Sequence, residues 1–156
     1  MRLQLLAIGQ RMPEWVATGF AEYAGRMPRD IALTLQALPN PARSRAMDTS
    51  TLRRVEGQAL LAAVPGQALV VALDEGGDVV DTRGMARRLA RWQQSGRDVA
   101  LVIGGAAGLD DAVRERADWV WSLSPLTFPH MLVRVLVAEQ LYRAWSLLNN
   151  HPYHRA

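Results

Sequence analysis

Apolar positions along this chain follow two alternating rhythms, short continuous runs and longer stretches at helical spacing. Leu3–Ile8 is a short apolar run and predicts a first strand. Between Pro13 and Arg26, residues Trp15, Val16, Phe20 and Tyr23 recur at near-helical intervals, and a proline suits a helix's first turn. Ile31–Leu38 sets Ile31, Leu33 and Leu35 against Ala32, Thr34 and Gln36, as a strand with one wetter face does. The prolines and polar residues of Pro39–Arg45 predict a loop. Asp48, Thr49 and Ser50 offer N-caps to a helix reaching about Val64, where Pro65-Gly66 stops it.

The second half continues the alternation. Ala68–Leu73 is apolar throughout, the mark of a strand buried on both faces, and Asp74-Glu75-Gly76-Gly77 predicts a turn after it. Asp81 or Thr82 caps a helix to Ser95, followed by Gly96. Asp98–Gly104 is a further buried strand, Asp110–Ala117 a short helix, Trp119–Ser122 a last short strand, and His130–Asn149 a long final helix. Strands alternating with helices, the inner strands buried on both faces, predict an α/β fold. Its sheet is mostly parallel, with helices on both faces.

Length and composition narrow the class. At 156 residues the chain is expected to form a single domain, residues 1–156, burying roughly 70% of the surface its unfolded form exposes. A hydrophobic share of 49% with 21% charged residues excludes a disordered tail. No apolar run approaches the roughly 20 residues that span a bilayer, and the N-terminus has no signal-peptide pattern. The absence of cysteine excludes a disulfide scaffold and a thiolate nucleophile, and fits a cytoplasmic protein. The net charge is +3, and every basic residue is arginine. A GC-rich genome accounts for that, but guanidinium also binds phosphate bidentately. Arg26, Arg29, Arg43, Arg45, Arg53 and Arg54, against Asp30 and Asp48 alone, permit an RNA partner.

Ligands of open α/β sheets bind beyond the carboxyl ends of the strands. Three segments there stand out: Leu73–Gly77, Ile103–Gly108 and Leu123–Pro129. The glycines of Gly104-Gly105-Ala106-Ala107-Gly108 follow the fourth strand and not the first, so they are out of place for a dinucleotide fingerprint. A tight turn explains them equally well. Leu123–Pro129 is apolar, with two prolines and two hydroxyls, and suits either the wall of a flat ring or a buried connector. The final helix is apolar nearly all round, so it needs cover on more than one side. The sheet covers one, and a second copy of the chain is the expected cover of the other. Glu139 and Arg143 are spaced for an i, i+4 pair. In the tail, His151, Tyr153, His154 and Arg155 group residues able to exchange protons, stack on a base or neutralise an anion. No acidic cluster nearby suggests a metal site.

Taken in order, Leu101–Leu109, Leu123–His130, Leu132–Trp145 and Asn150–Arg155, with Leu3-Gln4-Leu5, Gly9, Met12-Pro13, Trp15 and Glu22-Tyr23, resemble one family over the whole chain. It is the ribosomal RNA large-subunit methyltransferase H family, pseudouridine N3-methyltransferases of the SPOUT superfamily. One departure is visible: Ala106-Ala107 stands where that family usually has Pro-Glu. The resemblance implies a deep C-terminal trefoil knot and a homodimer through the C-terminal helix. It implies that S-adenosyl-L-methionine is held by Leu73, Gly104, Leu123, Ser124, Pro125, Leu126, Thr127 and Phe128, with Leu73, Leu123 and Leu126 walling the adenine. It further implies a pseudouridine of large-subunit (23S) rRNA, in the assembled ribosome, as substrate. Tyr153, His154 and Arg155 of the partner's tail are the expected catalytic residues, while Arg134, Glu139 and Arg143 support the seam. The alternatives are a non-catalytic ribosome-associated RNA-binding protein and a nucleotide-dependent oxidoreductase.

Overall fold

The computed structural model describes residues 1–41 and 46–154, without the side chain of His154. Arg43, Arg45 and Arg155 therefore lie outside the described residues. Among the described residues, five strands, β1 (Leu3–Ile8), β2 (Leu33–Leu38), β3 (Leu69–Val79), β4 (Val99–Ile103) and β5 (Trp119–Ser122), form one sheet in the order β2-β1-β4-β3-β5. Every pairing is parallel. Five α-helices connect and follow them: α1 (Glu14–Ala24), α2 (Thr49–Ala63), α3 (Thr82–Ser95), α4 (Asp111–Arg116) and α5 (His130–Leu148).

The period-two alternation of the strands divides the core in two. Leu3, Leu5 and Ala7 of β1 and Val99, Leu101 and Ile103 of β4 point to one face. There they pack with Phe20 of α1, Met85 and Leu89 of α3, and Val137 and Leu141 of α5. Leu6, Ile8, Ala100 and Val102 point to the other face and meet Leu60 of α2 and Val113 of α4. The α/β fold expected from the alternation is the one found.

Local chemistry sets the ends of the helices. Asp48, not Thr49 or Ser50, caps α2, its carboxylate accepting from the Thr51 N–H at 2.7 Å. Asp81 caps α3 in the same way through Gly84 N–H at 2.7 Å, and Gly96 ends α3 in the left-handed region at φ 68°. Pro13 stands just before α1 rather than inside it.

Three expectations need correction. Ile31 is not in a strand: the Ile31 N–H bonds to the Pro28 carbonyl in a short 3₁₀ turn (Arg29–Ile31), and β2 begins at Leu33. Asp74–Gly77 does not turn the chain out of the sheet. Leu73 and Asp78 both pair with Trp121, so residues 74–77 bulge outward while β3 resumes and runs on to Val79. Gly77 makes this possible, since a Cβ there would lie 2.6 Å from the Val120 carbonyl oxygen. Beyond the bulge, Asp78 accepts from Trp119 Nε1 at 3.0 Å, and Trp119 stacks on Trp121 with ring centres 5.5 Å apart. Finally, the sheet is not the sole cover of α5, because α1 and α3 flank that helix. They help bury Val137, Ala138, Leu141, Tyr142 and Ala144. Leu132, Val133, Val135, Leu136 and Leu147 remain half-buried and Leu148 exposed, with Trp15 of α1 exposed as well.

Candidate functional site

A cavity of about 660 Å³ opens at the β3 bulge and the carboxyl ends of β4 and β5. Its walls include Leu73, Gly104, Leu123, Ser124, Leu126, Thr127 and Phe128. Of the residues expected to hold a cofactor, Pro125 alone is not among them. The three strand-end segments singled out in the sequence thus converge on one space. The bulged Asp74 and Glu75 also reach it, as do Trp121 and Leu109 and, at the start of α5, His130.

The glycine loop is a tight turn: Gly108 N–H donates to the Gly105 carbonyl at 3.0 Å, with Gly108 at φ 86°. Gly104 is needed because a Cβ there would sit 2.7 Å from the Gly108 carbonyl oxygen. Ala106 and Ala107, the departure from the family pattern, form the tip and line the cavity. The opposite wall is stiffened by its hydroxyls. Ser122 Oγ donates to the Ser124 carbonyl and Ser124 Oγ accepts from Leu126 N–H, both at 3.0 Å. Thr127 Oγ1 donates to Glu75 Oε2 at 2.6 Å, tying the Leu123–Phe128 segment to the β3 bulge. Asp74 faces Arg114 of α4 at 3.7 Å.

Two buried groups border this region without full satisfaction. Glu56 of α2 is 2% exposed, and its carboxylate is packed against Gly105, while Oε1 has no hydrogen-bond partner among the described residues. Burial pushes its pKa up, opposed by the nearby Gly105 N–H. His130 has an unpartnered Nδ1, and burial, with the nearby Arg134 charge, pushes its pKa down. The sequence reading missed Glu56. The signal was its place four residues before the buried Leu60, a charge on the apolar stripe of α2.

The C-terminal tail docks on its own chain. A C-terminal 3₁₀ turn, Pro152–His154, carries Tyr153 against Tyr142, ring centres 4.7 Å apart. The Tyr153 hydroxyl donates to Glu139 Oε1 at 2.8 Å. Arg143 donates to the same oxygen from Nε at 2.9 Å and Nη2 at 2.5 Å, and its guanidinium lies 5.1 Å from the Tyr153 ring centre. Burial, then the Glu139 bond, raises the Tyr153 pKa, so its hydroxyl stays protonated. Tyr153 is not among the cavity-lining residues of its own chain. His154 has its backbone in the turn, and Arg155 lies outside the described residues. Arg134, expected at the seam, is instead wholly buried against β1. Among the described residues no group of three His, Asp or Glu side chains converges as a metal site would require, and no helix is long and apolar enough to cross a membrane.

Comparison with known proteins fits this arrangement. A ribosomal RNA large subunit methyltransferase H from Thioalkalivibrio sulfidiphilus is 55% identical over 99% of both chains. The protein of the same name from Methylococcus capsulatus is 56% identical over 99% of this chain and 100% of its own. One from Hahella chejuensis is 50% identical over 99% of each. Among solved structures, the SpoU methyltransferase AviRb from Streptomyces viridochromogenes, in complex with AdoMet, aligns with a TM-score of 0.47 at 17% identity, over 90% of this chain and 56% of that one. The family described as "Predicted SPOUT methyltransferase" matches residues 1–154, and with three glycine-loop, apolar-loop and bulge segments meeting at one cavity, the chain belongs to the SPOUT methyltransferases.

Proposed function

We propose that this chain is a single-domain, cytoplasmic S-adenosylmethionine-dependent methyltransferase. It acts on N3 of a pseudouridine in large-subunit ribosomal RNA, within the assembled ribosome. The observation that carries the reading is the cavity at the β3 bulge and the ends of β4 and β5, placed where an α/β sheet binds ligands. Its residues fit the cofactor: Leu73, Leu123 and Leu126 offer apolar walls for a flat ring, and Gly104 and Gly105 line the cavity with backbone alone. Ser124, Pro125, Thr127 and Phe128 belong to the segment that completes the holder. When bound, S-adenosylmethionine supplies an electrophilic methyl group on a sulfonium.

The remaining work falls to the chain's own side chains. N3 of a pseudouridine carries a proton and becomes nucleophilic only as that proton leaves, so the site needs a base or a stabiliser of the anionic ring. The tail provides the groups. In this reading Tyr153 orients the base, His154 assists proton removal, and Arg155 holds phosphate or the developing negative oxygen. They act from the partner subunit, since Tyr153 does not line its own chain's cavity. Glu139 and Arg143 hold the Tyr153 hydroxyl and ring in place. The half-buried Leu132, Val135 and Leu136 of α5, together with exposed Leu148 and Trp15, supply apolar surface for the two-fold dimer. The C-terminal trefoil knot belongs to the same reading.

Thermal shift separates this from the oxidoreductase alternative. A ligand that binds only the folded chain raises its midpoint. S-adenosylmethionine raises it and NAD does not; the reverse result overturns the proposal.

A further inference from the structure

Glu56 is buried, carries no ion pair among the described residues, and sets its carboxylate against the backbone of Gly105. A carboxylate in that state lowers stability relative to an apolar residue, because its desolvation is not offset by a cation or a second donor. Its one contact of consequence is with the cavity wall. Gly105 is held on both sides, by the Glu56 carboxylate packed behind it and, at its carbonyl, by the Gly108 N–H at 3.0 Å. The fit is close, since a Cβ on Gly105 would come within 2.6 Å of Glu56 Oε2, and Glu56 atoms are the nearest that it would meet. The adjacent Gly57 lets α2 approach α4 closely enough for this reach, with Asp110 Cβ 3.0 Å from where its own Cβ would be.

We propose that Glu56 is a positioning residue for cofactor binding: from behind the cavity it holds the Gly104–Gly108 turn in the conformation that receives the cofactor, through its contact with Gly105. This rests on the reading that the cavity is the cofactor site. Glu56 touches neither cofactor nor substrate, so its effect falls on cofactor affinity and not on the chemical step.

The test is calorimetric titration of the full-length protein with S-adenosylmethionine, beside steady-state kinetics. Glu56→Ala removes the acceptor and weakens Kd by roughly ten- to a hundred-fold, while kcat at saturating cofactor is unchanged. Glu56→Gln keeps an amide oxygen for the Gly105 N–H and retains a Kd close to the parent's. Gly105→Ala displaces the Glu56 carboxylate and weakens binding as Glu56→Ala does, and the double variant is no worse than either single one. A folded Glu56→Ala with the parent's Kd overturns the proposal, as does equal loss in Glu56→Gln or simple additivity with Gly105→Ala. Hydrogen exchange on the unaltered protein tests the underlying reading separately. Protection by cofactor at residues 104–108 and 123–128 places the ligand in this cavity, and protection elsewhere alone removes that premise whatever the variants do.

Discussion

Arg134 and Gly9 join the start of α5 to the end of β1. The Arg134 Nη2 donates to the Gly9 carbonyl at 2.8 Å and to that of Ile8 at 2.9 Å. Its Nη1 reaches Met12 Sδ at 3.4 Å, and Nε has no partner. The guanidinium has no exposed surface and no carboxylate partner, and burial pushes its pKa down. It acts as a fork on carbonyl oxygens left at a strand end. Gly9, at φ 109°, presents one of them.

Replacing Arg134 therefore costs stability first. Arg134→Ala leaves two buried carbonyls without donors and opens space in the core. A loss of about 2–4 kcal/mol is expected. Thermal unfolding reads this as a midpoint roughly 4–16 °C lower. Arg134→Met fills the space without restoring the bonds, and its midpoint falls between the two.

Glu56 gives stability a pH dependence of known sign. Its folded pKa lies above the ordinary value of 4.5, so the folded chain holds that proton more tightly than the unfolded chain. This group's contribution is greatest below about pH 4.5 and is lost as pH rises through the folded pKa. Glu56→Gln removes the loss. The variant unfolds at a higher temperature than the parent at pH 7, and the gap closes as the solution is acidified toward pH 4.5. A gap that widens on acidification contradicts this account.

Much of the fold was legible because the chain obeys simple periodicities. β4 is buried on both faces and reads as an unbroken apolar run, β1 departs from one only at Gln4, and α3 announces itself by Asp81 at one end and Gly96 at the other. The bulge in β3 was not legible. Asp, Glu and two glycines in a row are turn residues by composition, and it is the pairing of Asp78 and Val79 with β5 that shows the strand continues. Likewise the three strand-end segments pointed to the cavity, since their position follows from parallel topology alone. Glu56 escaped because a charge in a helix is usually solvated, and its partner Gly105 is distant in sequence. The all-round apolarity of α5 was read correctly as a need for cover. How much comes from α1 and α3 depends on packing that a single helix's pattern does not encode.

The tail can be tested without disturbing the cavity. Tyr153→Phe removes the bond to Glu139 and leaves the ring packed against Tyr142. Because Tyr153 does not line its own cavity, S-adenosylmethionine affinity is retained while turnover falls by roughly 10- to 100-fold through loss of orientation. Mixed dimers refine this. Protomers carrying Tyr153→Phe, combined with protomers carrying Gly104→Val, give activity above that of either homodimer, because one composite site then holds an intact cavity and an intact tail. Failure of mixing to restore activity, once heterodimers are shown to form, argues for a site within one chain.

The most direct measurement is transfer of labelled methyl from S-adenosylmethionine to ribosomes lacking the modification, with naked ribosomal RNA alongside, and mapping of the labelled base. Label at N3 of one large-subunit pseudouridine, on ribosomes and not on naked RNA, is the result this account predicts. Cofactor binding without transfer to any ribosomal pseudouridine contradicts it.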